Sequence, residues 1–214
     1  MREKKVSIPS SGVQLKGLLN VHEAFSFGKG MIACHPHPLY GGNMFNPVVG
    51  TAVETAYEEG FSTLRFNFRG VGESEGTYDE GRGEKEDVKS AIDYLYQNLK
   101  GSNPPMVLMG YSFGAWAGVP VGMEDRRIEG LIAVAPPLVM NDFGFLKGCK
   151  KKKLFVAGDR DLYCPVQTLK DWFKELEEPK SMAIIEGADH FLLSHTHAIV
   201  PIIREFLRES FPSP

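Results

Sequence analysis

Apolar positions along the chain fall first into strand rhythms and then into alternating strand and helix rhythms. Val6 to Ile8 and Val13 to Val21 read as two strands joined at Pro9-Ser10-Ser11-Gly12, which predicts an antiparallel hairpin. Met31 to Cys34 is an apolar run too short and too well bounded for a helix. It leads into His35-Pro36-His37-Pro38-Leu39-Tyr40-Gly41-Gly42, which prolines and glycines force into a loop. Asn46 opens a helical pattern with Pro47 in its first turn and Val49, Ala52, Val53 and Ala56 on one face, and Gly60 ends it. Phe61 to Phe68 reads as a strand that breaks at Arg69-Gly70-Val71-Gly72-Glu73-Ser74-Glu75-Gly76. Glu84 to Leu99 is helical, with Val88, Ala91, Ile92, Leu95 and Leu99 as its stripe.

The second half repeats the alternation. Pro104-Pro105 leads into the apolar run Val107-Leu108-Met109, and a small-residue helical pattern follows Ser112. Gly130 to Ala135, Leu154 to Ala157 and Ser181 to Ile185 read as strands, while Pro165 to Leu176 and Ile199 to Phe211 read as helices. A hairpin followed by such alternation predicts an α/β fold with a mostly parallel central sheet and helices on both faces, in one domain spanning 1–214. In open sheets of this kind, sites form at the carboxyl ends of the strands. His37, Ser112, Asp161 and His190 each fall just past a predicted strand end.

Candidate chemistry gathers at those ends. Gly110-Tyr111-Ser112-Phe113-Gly114 is G-x-S-x-G between a strand and a helix, a turn tight enough to push a serine hydroxyl out above the sheet. A serine nucleophile needs a base, and the base needs an orienting carboxylate. The chain order Ser112, Asp161, His190 matches the nucleophile-elbow arrangement. Asp159 competes with Asp161, and His195 and His197 compete with His190. A developing oxyanion needs two backbone donors. Phe113 follows the serine at a helix start, and Pro36 and Pro38 have no N–H, so His37 or a residue from Leu39 onward is the second, with His37 favoured. Leu39, Tyr40, Trp116, Leu162 and Phe191 are candidates to line an apolar acyl site.

Other readings fare less well. His35 and His37 form an H-x-H pair, but no further ligands lie nearby in sequence, so no metal is expected. The loop 70–76 lacks G-x-G-x-x-G spacing and carries two glutamates, which argues against phosphate. Cys34, Cys149 and Cys164 are too few and too scattered for a disulfide framework, which points to a reducing cytoplasm. A net charge of −3 gives no reason to expect nucleic acid or anionic membrane as a partner. Met1-Arg2-Glu3-Lys4-Lys5 is charged with no apolar signal segment behind it, and no run approaches transmembrane length. Lys147 and Lys150 to Lys153 form a basic run that reads as a solvated loop.

The chain resembles the α/β-hydrolase superfamily, and within it a small, lidless group similar to dienelactone hydrolases and esterases. The resemblance spans roughly residues 5 to 210. It is carried by His35-Pro36-His37-Pro38 with Gly41-Gly42, Asn67-Phe68-Arg69-Gly70-Val71-Gly72-Glu73-Ser74, Gly110-Tyr111-Ser112-Phe113-Gly114, Gly158-Asp159-Arg160-Asp161 and Gly187-Ala188-Asp189-His190-Phe191. It implies Ser112 as nucleophile, Asp161 as acid, His190 as base, acyl transfer to water and no cofactor. The expected substrate is a small-molecule carboxylic ester or thioester, with an amide or lactone as alternatives. A non-catalytic binding scaffold on the same fold is the rival from another class. Many relatives carry a cap domain where this chain runs from Pro136 to Leu154, and that stretch is too short for one. Monomer and homodimer both remain open.

Overall fold

The computed structural model describes residues 3–22 and 28–212, so Met1 and Arg2 of the charged N-terminal stretch lie outside the described residues. The hairpin forms where its polar turn places it: β1 (Lys4–Ser10) pairs antiparallel with β2 (Val13–Asn20), Ser10 opposite Val13. The other strands are β3 (Lys29–Cys34), β4 (Phe61–Phe66), β5 (Met106–Tyr111), β6 (Ile128–Val134), β7 (Lys152–Gly158) and β8 (Lys180–Ile185). They form one eight-stranded sheet in the order β1-β2-β4-β3-β5-β6-β7-β8. β2 meets β4 antiparallel, and every pairing from β4 across to β8 is parallel.

Two faces of that sheet need cover, and five α-helices among the described residues supply it. α1 (Pro47–Glu58) and α5 (Ile199–Ser210) pack on one face, where Met31, Ala33, Val107 and Met109 point. α2 (Arg82–Asn98), α3 (Phe113–Glu124) and α4 (Val166–Lys174) pack on the other, over Ile32, Cys34 and Leu108. Alternate residues of one strand thus enter opposite cores, which is why Met31 to Cys34 of β3 and Met106 to Met109 of β5 are apolar without interruption. Each fully buried Leu, Ile or Phe contributes about 1.5–3 kcal/mol. The α1 stripe works as its spacing predicts, and Asn46 Oδ1 caps it by accepting the Val48 N–H at 2.9 Å.

Element ends move by a residue or two from the sequence reading, and two of the shifts have clear causes. β4 stops at Phe66 instead of Phe68 because the Phe68 N–H goes to His35 Nε2 at 3.0 Å and the Arg69 N–H to Asp87 Oδ2 at 2.9 Å. α2 starts at Arg82 because the buried Glu84 carboxylate accepts the Gly81 N–H at 2.7 Å and the Asp79 N–H at 2.9 Å. Between β6 and β7 the only regular element is the 3-10 turn Gly144–Leu146, so that stretch forms no cap domain.

The basic run is a solvated loop only at Lys147 and Lys150, which are exposed; Lys151 to Lys153 turn inward. Lys153 is 1% exposed, and its ammonium donates to the carbonyls of Cys149, Lys151 and Pro179. Lys151 donates to Gly122 O and Asp125 O, and Lys152 donates to Ser210 O. Carbonyls at the ends of α3 and α5 draw in Lys151 and Lys152, and those that hold Lys153 lie just before β7 and β8.

A buried carboxylate locks the hairpin to the loop after β4. Asp87 accepts the Ser10 hydroxyl at 2.8 Å and Arg69 Nη2 at 2.8 Å, in addition to the Arg69 N–H. Asp87→Ala strands the guanidinium and is expected to cost about 3 kcal/mol in urea unfolding, whereas Lys89→Ala, which breaks an exposed helix-surface pair, should cost less than about 1 kcal/mol. Equal losses would show that the Asp87 cluster is not an anchor.

Candidate active site

β5 ends at Tyr111 and α3 begins at Phe113, so Ser112 alone makes the turn between them. Its backbone sits at φ 52° and ψ −117°, a left-handed conformation that costs a non-glycine residue about 1–3 kcal/mol. The Ser112 N–H donates to Val134 O at 2.9 Å, and its carbonyl accepts the Ala115 N–H at 2.9 Å, which hold it there. The flanking glycines are required by close approach. A Cβ on Gly110 would lie 2.4 Å from Gly114 O, and one on Gly114 would lie 2.3 Å from Cys34 O.

The strained turn presents Ser112 Oγ 2.8 Å from His190 Nε2. Nδ1 of the same imidazole lies 3.0 and 2.9 Å from the two Asp161 oxygens. A carboxylate there makes Nδ1 the protonated nitrogen and leaves Nε2 as the acceptor of the serine proton. Asp161 is 3% exposed, and its Oδ1 also accepts the N–H groups of Tyr163 and Cys164 at 2.8 Å each. His190 is pinned from behind by the Tyr111 hydroxyl, which donates to its carbonyl at 2.9 Å. Asp189 shapes the turn by accepting the N–H of Phe191 at 3.0 Å and of Leu192 at 3.1 Å. Asp159 is exposed and accepts the Gly187 N–H at 2.8 Å, so it ties two loops together while Asp161 meets the imidazole. His195 and His197 sit in and beside the 3-10 turn that precedes α5.

Beyond β3, the loop is organised by its first histidines. His37 O accepts the N–H groups of Tyr40 and Gly42, and His37 Nδ1 accepts the Leu39 N–H at 3.2 Å. Among the described residues, the hydrogen-bond network leaves the N–H groups of His37 and Phe113 open. The buried His35 ring donates from Nδ1 to Pro36 O at 2.6 Å and accepts the Phe68 N–H at Nε2. With both nitrogens engaged, it has no lone pair for a metal. No group of three metal-ligating side chains occurs among the described residues. The three cysteines are free and buried, and burial pushes the thiols of Cys34 and Cys164 well above their ordinary range, so neither supplies a thiolate.

Of the apolar candidates, Leu39, Tyr40, Leu162 and Phe191 are exposed, on the loops that follow β3, β7 and β8. Trp116 is half-buried against Phe113, Gly81 and Lys85. Two aromatic neighbours escaped the sequence reading. Tyr163 packs its ring 4.7 Å from His190, and its place two residues after Asp161 was a usable signal. The Tyr78 hydroxyl lies 3.4 Å from His37 Nε2, brought there by a loop with no periodicity to read.

A family model described as an alpha/beta hydrolase domain matches residues 40–198. An uncharacterized protein of Rickettsia prowazekii is 37% identical over 184 residues, covering 82% of this chain and 77% of that protein. An alpha-beta serine hydrolase homologue from Coxiella burnetii superposes with a TM-score of 0.88 at 33% identity, over 97% of this chain and 98% of that one. XC6422 from Xanthomonas campestris, a serine hydrolase without a lid, superposes with a TM-score of 0.87 at 25% identity, over 100% of this chain and 97% of its own.

Burial pulls the His35 imidazole down from 6.5 to about 4. A histidine held neutral in the fold stabilises it fully above pH 6.5, and that contribution is lost as pH falls from 6.5 towards 4. The loss amounts to about 3 kcal/mol for this group. Urea unfolding of wild type and His35→Gln across that window should give a steeper decline with acid for wild type. Parallel declines would show that His35 is not held neutral.

Proposed function

We propose that this chain, which belongs to the family of alpha/beta hydrolase domains, is a serine hydrolase that cleaves a carboxylic ester or thioester through an acyl-enzyme. The observation that carries the reading is the continuous hydrogen-bonded line from Ser112 Oγ to His190 to Asp161. Ser112 attacks the substrate carbonyl while His190 Nε2 takes its proton. Asp161 keeps His190 in the Nδ1–H tautomer and stabilises the imidazolium. The open N–H groups of Phe113 and His37 receive the oxyanion, each worth about 3–4 kcal/mol to the transition state. His190 returns the proton to the leaving group, and the cycle repeats with water to release the acid. Leu39, Tyr40, Trp116, Leu162 and Phe191 contribute the apolar contacts to a small-molecule substrate. No step needs a metal or cofactor, and the buried, unpaired cysteines suit a cytoplasmic setting.

Intact-mass spectrometry after treatment with a fluorophosphonate tests the reading. One adduct is expected on the wild type and none on Ser112→Ala. An unmodified but folded wild type would favour a non-catalytic binding scaffold. Asp161→Asn keeps the shape but favours the wrong tautomer, and should lower kcat by about 10^4 on any ester the enzyme accepts. A smaller loss than tenfold would remove Asp161 from the mechanism. Esters, thioesters, amides and lactones of matched acyl groups then sort the bond cleaved.

A further inference from the structure

We infer that the bulky apolar part of the substrate is its leaving group, an uncharged alcohol or phenol seated on an open platform of Val139, Leu162, Tyr163 and Phe191. The inference rests on the serine-hydrolase reading above and names the substrate class of the same site.

Exposed large hydrophobic residues gather at the carboxyl end of the sheet. Val139 and Met140 follow β6, Leu162 and Tyr163 follow β7, and Phe191 and Leu193 follow β8, with exposures from 40% at Tyr163 to 83% at Leu162. Exposed apolar residues gathered on the loops of three neighbouring strands mark a binding surface, since single scattered residues are the norm. The patch is continuous with the reacting groups. The Val139 N–H donates to Tyr163 O at 3.2 Å, which joins the loops after β6 and β7. The rings of Tyr163 and Phe191 lie 4.7 and 5.8 Å from the His190 imidazole, whose Nε2 meets Ser112 Oγ.

Reaction geometry decides which half of the substrate meets these rings. As the bond from Ser112 Oγ to the carbonyl carbon forms, the serine proton passes to His190 Nε2. As the bond from that carbon to the leaving oxygen breaks, the same proton passes to the leaving oxygen. That oxygen must therefore come within about 3 Å of Nε2. Its substituent then runs across whatever packs around the imidazole, which is Tyr163 and Phe191, with Leu162 next to Tyr163 in sequence and Val139 bonded to the Tyr163 backbone. The oxyanion points the other way, towards the N–H groups of His37 and Phe113. The acyl remainder falls on the side of Leu39 and Tyr40. The single apolar acyl site expected from sequence thus divides into two subsites.

Charge narrows the leaving group further. In the three segments that carry the platform, Asp142, Asp159, Glu186 and Asp189 are exposed, against Arg160 alone. A phosphate-bearing thiol leaving group would meet four carboxylates and one cation there, counted over residues 138–142, 159–163 and 186–193. An uncharged alcohol meets no such penalty, which favours an oxygen ester over a thioester of a polyanionic carrier.

The experiment compares two ester series below their solubility limits: acetates of linear alcohols from methyl to hexyl, and methyl esters of linear acids from acetyl to hexanoyl. Each methylene laid on a half-open apolar face should raise kcat/KM about twofold, so hexyl acetate should exceed methyl acetate by about 30-fold. The acyl series should rise less. Leu162→Ser combined with Phe191→Ser, both at exposed positions, should cut the hexyl-to-methyl ratio to a few-fold and keep the wild-type ratio in the acyl series. A flat alcohol series, a steeper acyl series, or a ratio unmoved by the double variant would overturn the inference. Turnover of hexyl acetate only from droplets would give the platform to a lipid interface, and a dimer dissociated by the double variant would give it to a second copy; either would overturn it too. If Ser112 accepts the phosphonate and esters turn over, those failures leave the hydrolase reading standing. If there is neither adduct nor turnover, the hydrolase reading falls and takes this inference with it.

Discussion

The left-handed backbone at Ser112 is the constraint on which the rest of the arrangement depends. A serine at φ 52° persists only if its surroundings over-determine it. Here β5 lies between β3 and β6 in the middle of the sheet, and α3 starts one residue later. The strand end, the helix start and the Val134 carbonyl together leave one path for the chain. Gly110 and Gly114 permit it because the turn, α3 and the end of β3 approach so closely that no side chain fits between them. The strain is offset by two buried cores, and its result is a hydroxyl held clear of the sheet, facing an imidazole that comes from beyond β8.

Loops at that end of the sheet bury residues such as Phe68, Cys164, Ala188 and Leu192, and polar side chains fix them further. Each does so by capturing backbone N–H groups that would otherwise go unpaired. His35 takes that of Phe68, Asn67 takes that of Met44, Asp159 takes that of Gly187, and Asp189 takes those of Phe191 and Leu192. Asp161 does the same for Tyr163 and Cys164 while it meets His190. Its orientation is thus held by its own loop as well as by the imidazole, a form of preorganisation. Because these bonds are satisfied without a lid, the site can stay open to solvent and still be ordered.

The two ends of the parallel sheet divide the work. At the carboxyl ends the strands release loops that carry chemistry. Towards the opposite end, where α3 and α5 finish, unpaired carbonyls gather and lysines satisfy them. Lys151, Lys152 and Lys153 follow one another in sequence, yet each finds a different set of carbonyls. Their charge serves the fold, so the second half of a basic run that looks like a surface patch is spent on backbone carbonyls, while Lys147 and Lys150 stay exposed.

By itself, the sequence determined the hairpin, the alternation of strands and helices, the two-faced sheet and the family, because these follow from periodicities of two and 3.6 residues and from motifs contiguous in the chain. It also determined that Ser112, Asp161 and His190 each follow a strand, which in a parallel sheet brings them to one edge. Only the tertiary structure decided between Asp161 and Asp159, since both follow β7 and the difference lies in which side chain turns towards His190 and which towards Gly187. Only it brought Tyr78 against His37 and Tyr163 against His190, joined Val139 to Tyr163, and buried Lys153. Those are contacts between segments far apart in the chain or within irregular loops, where no period constrains the side chain and the geometry is set by how neighbouring strands, β4 with β3 and β6 with β7 and β8, lie side by side.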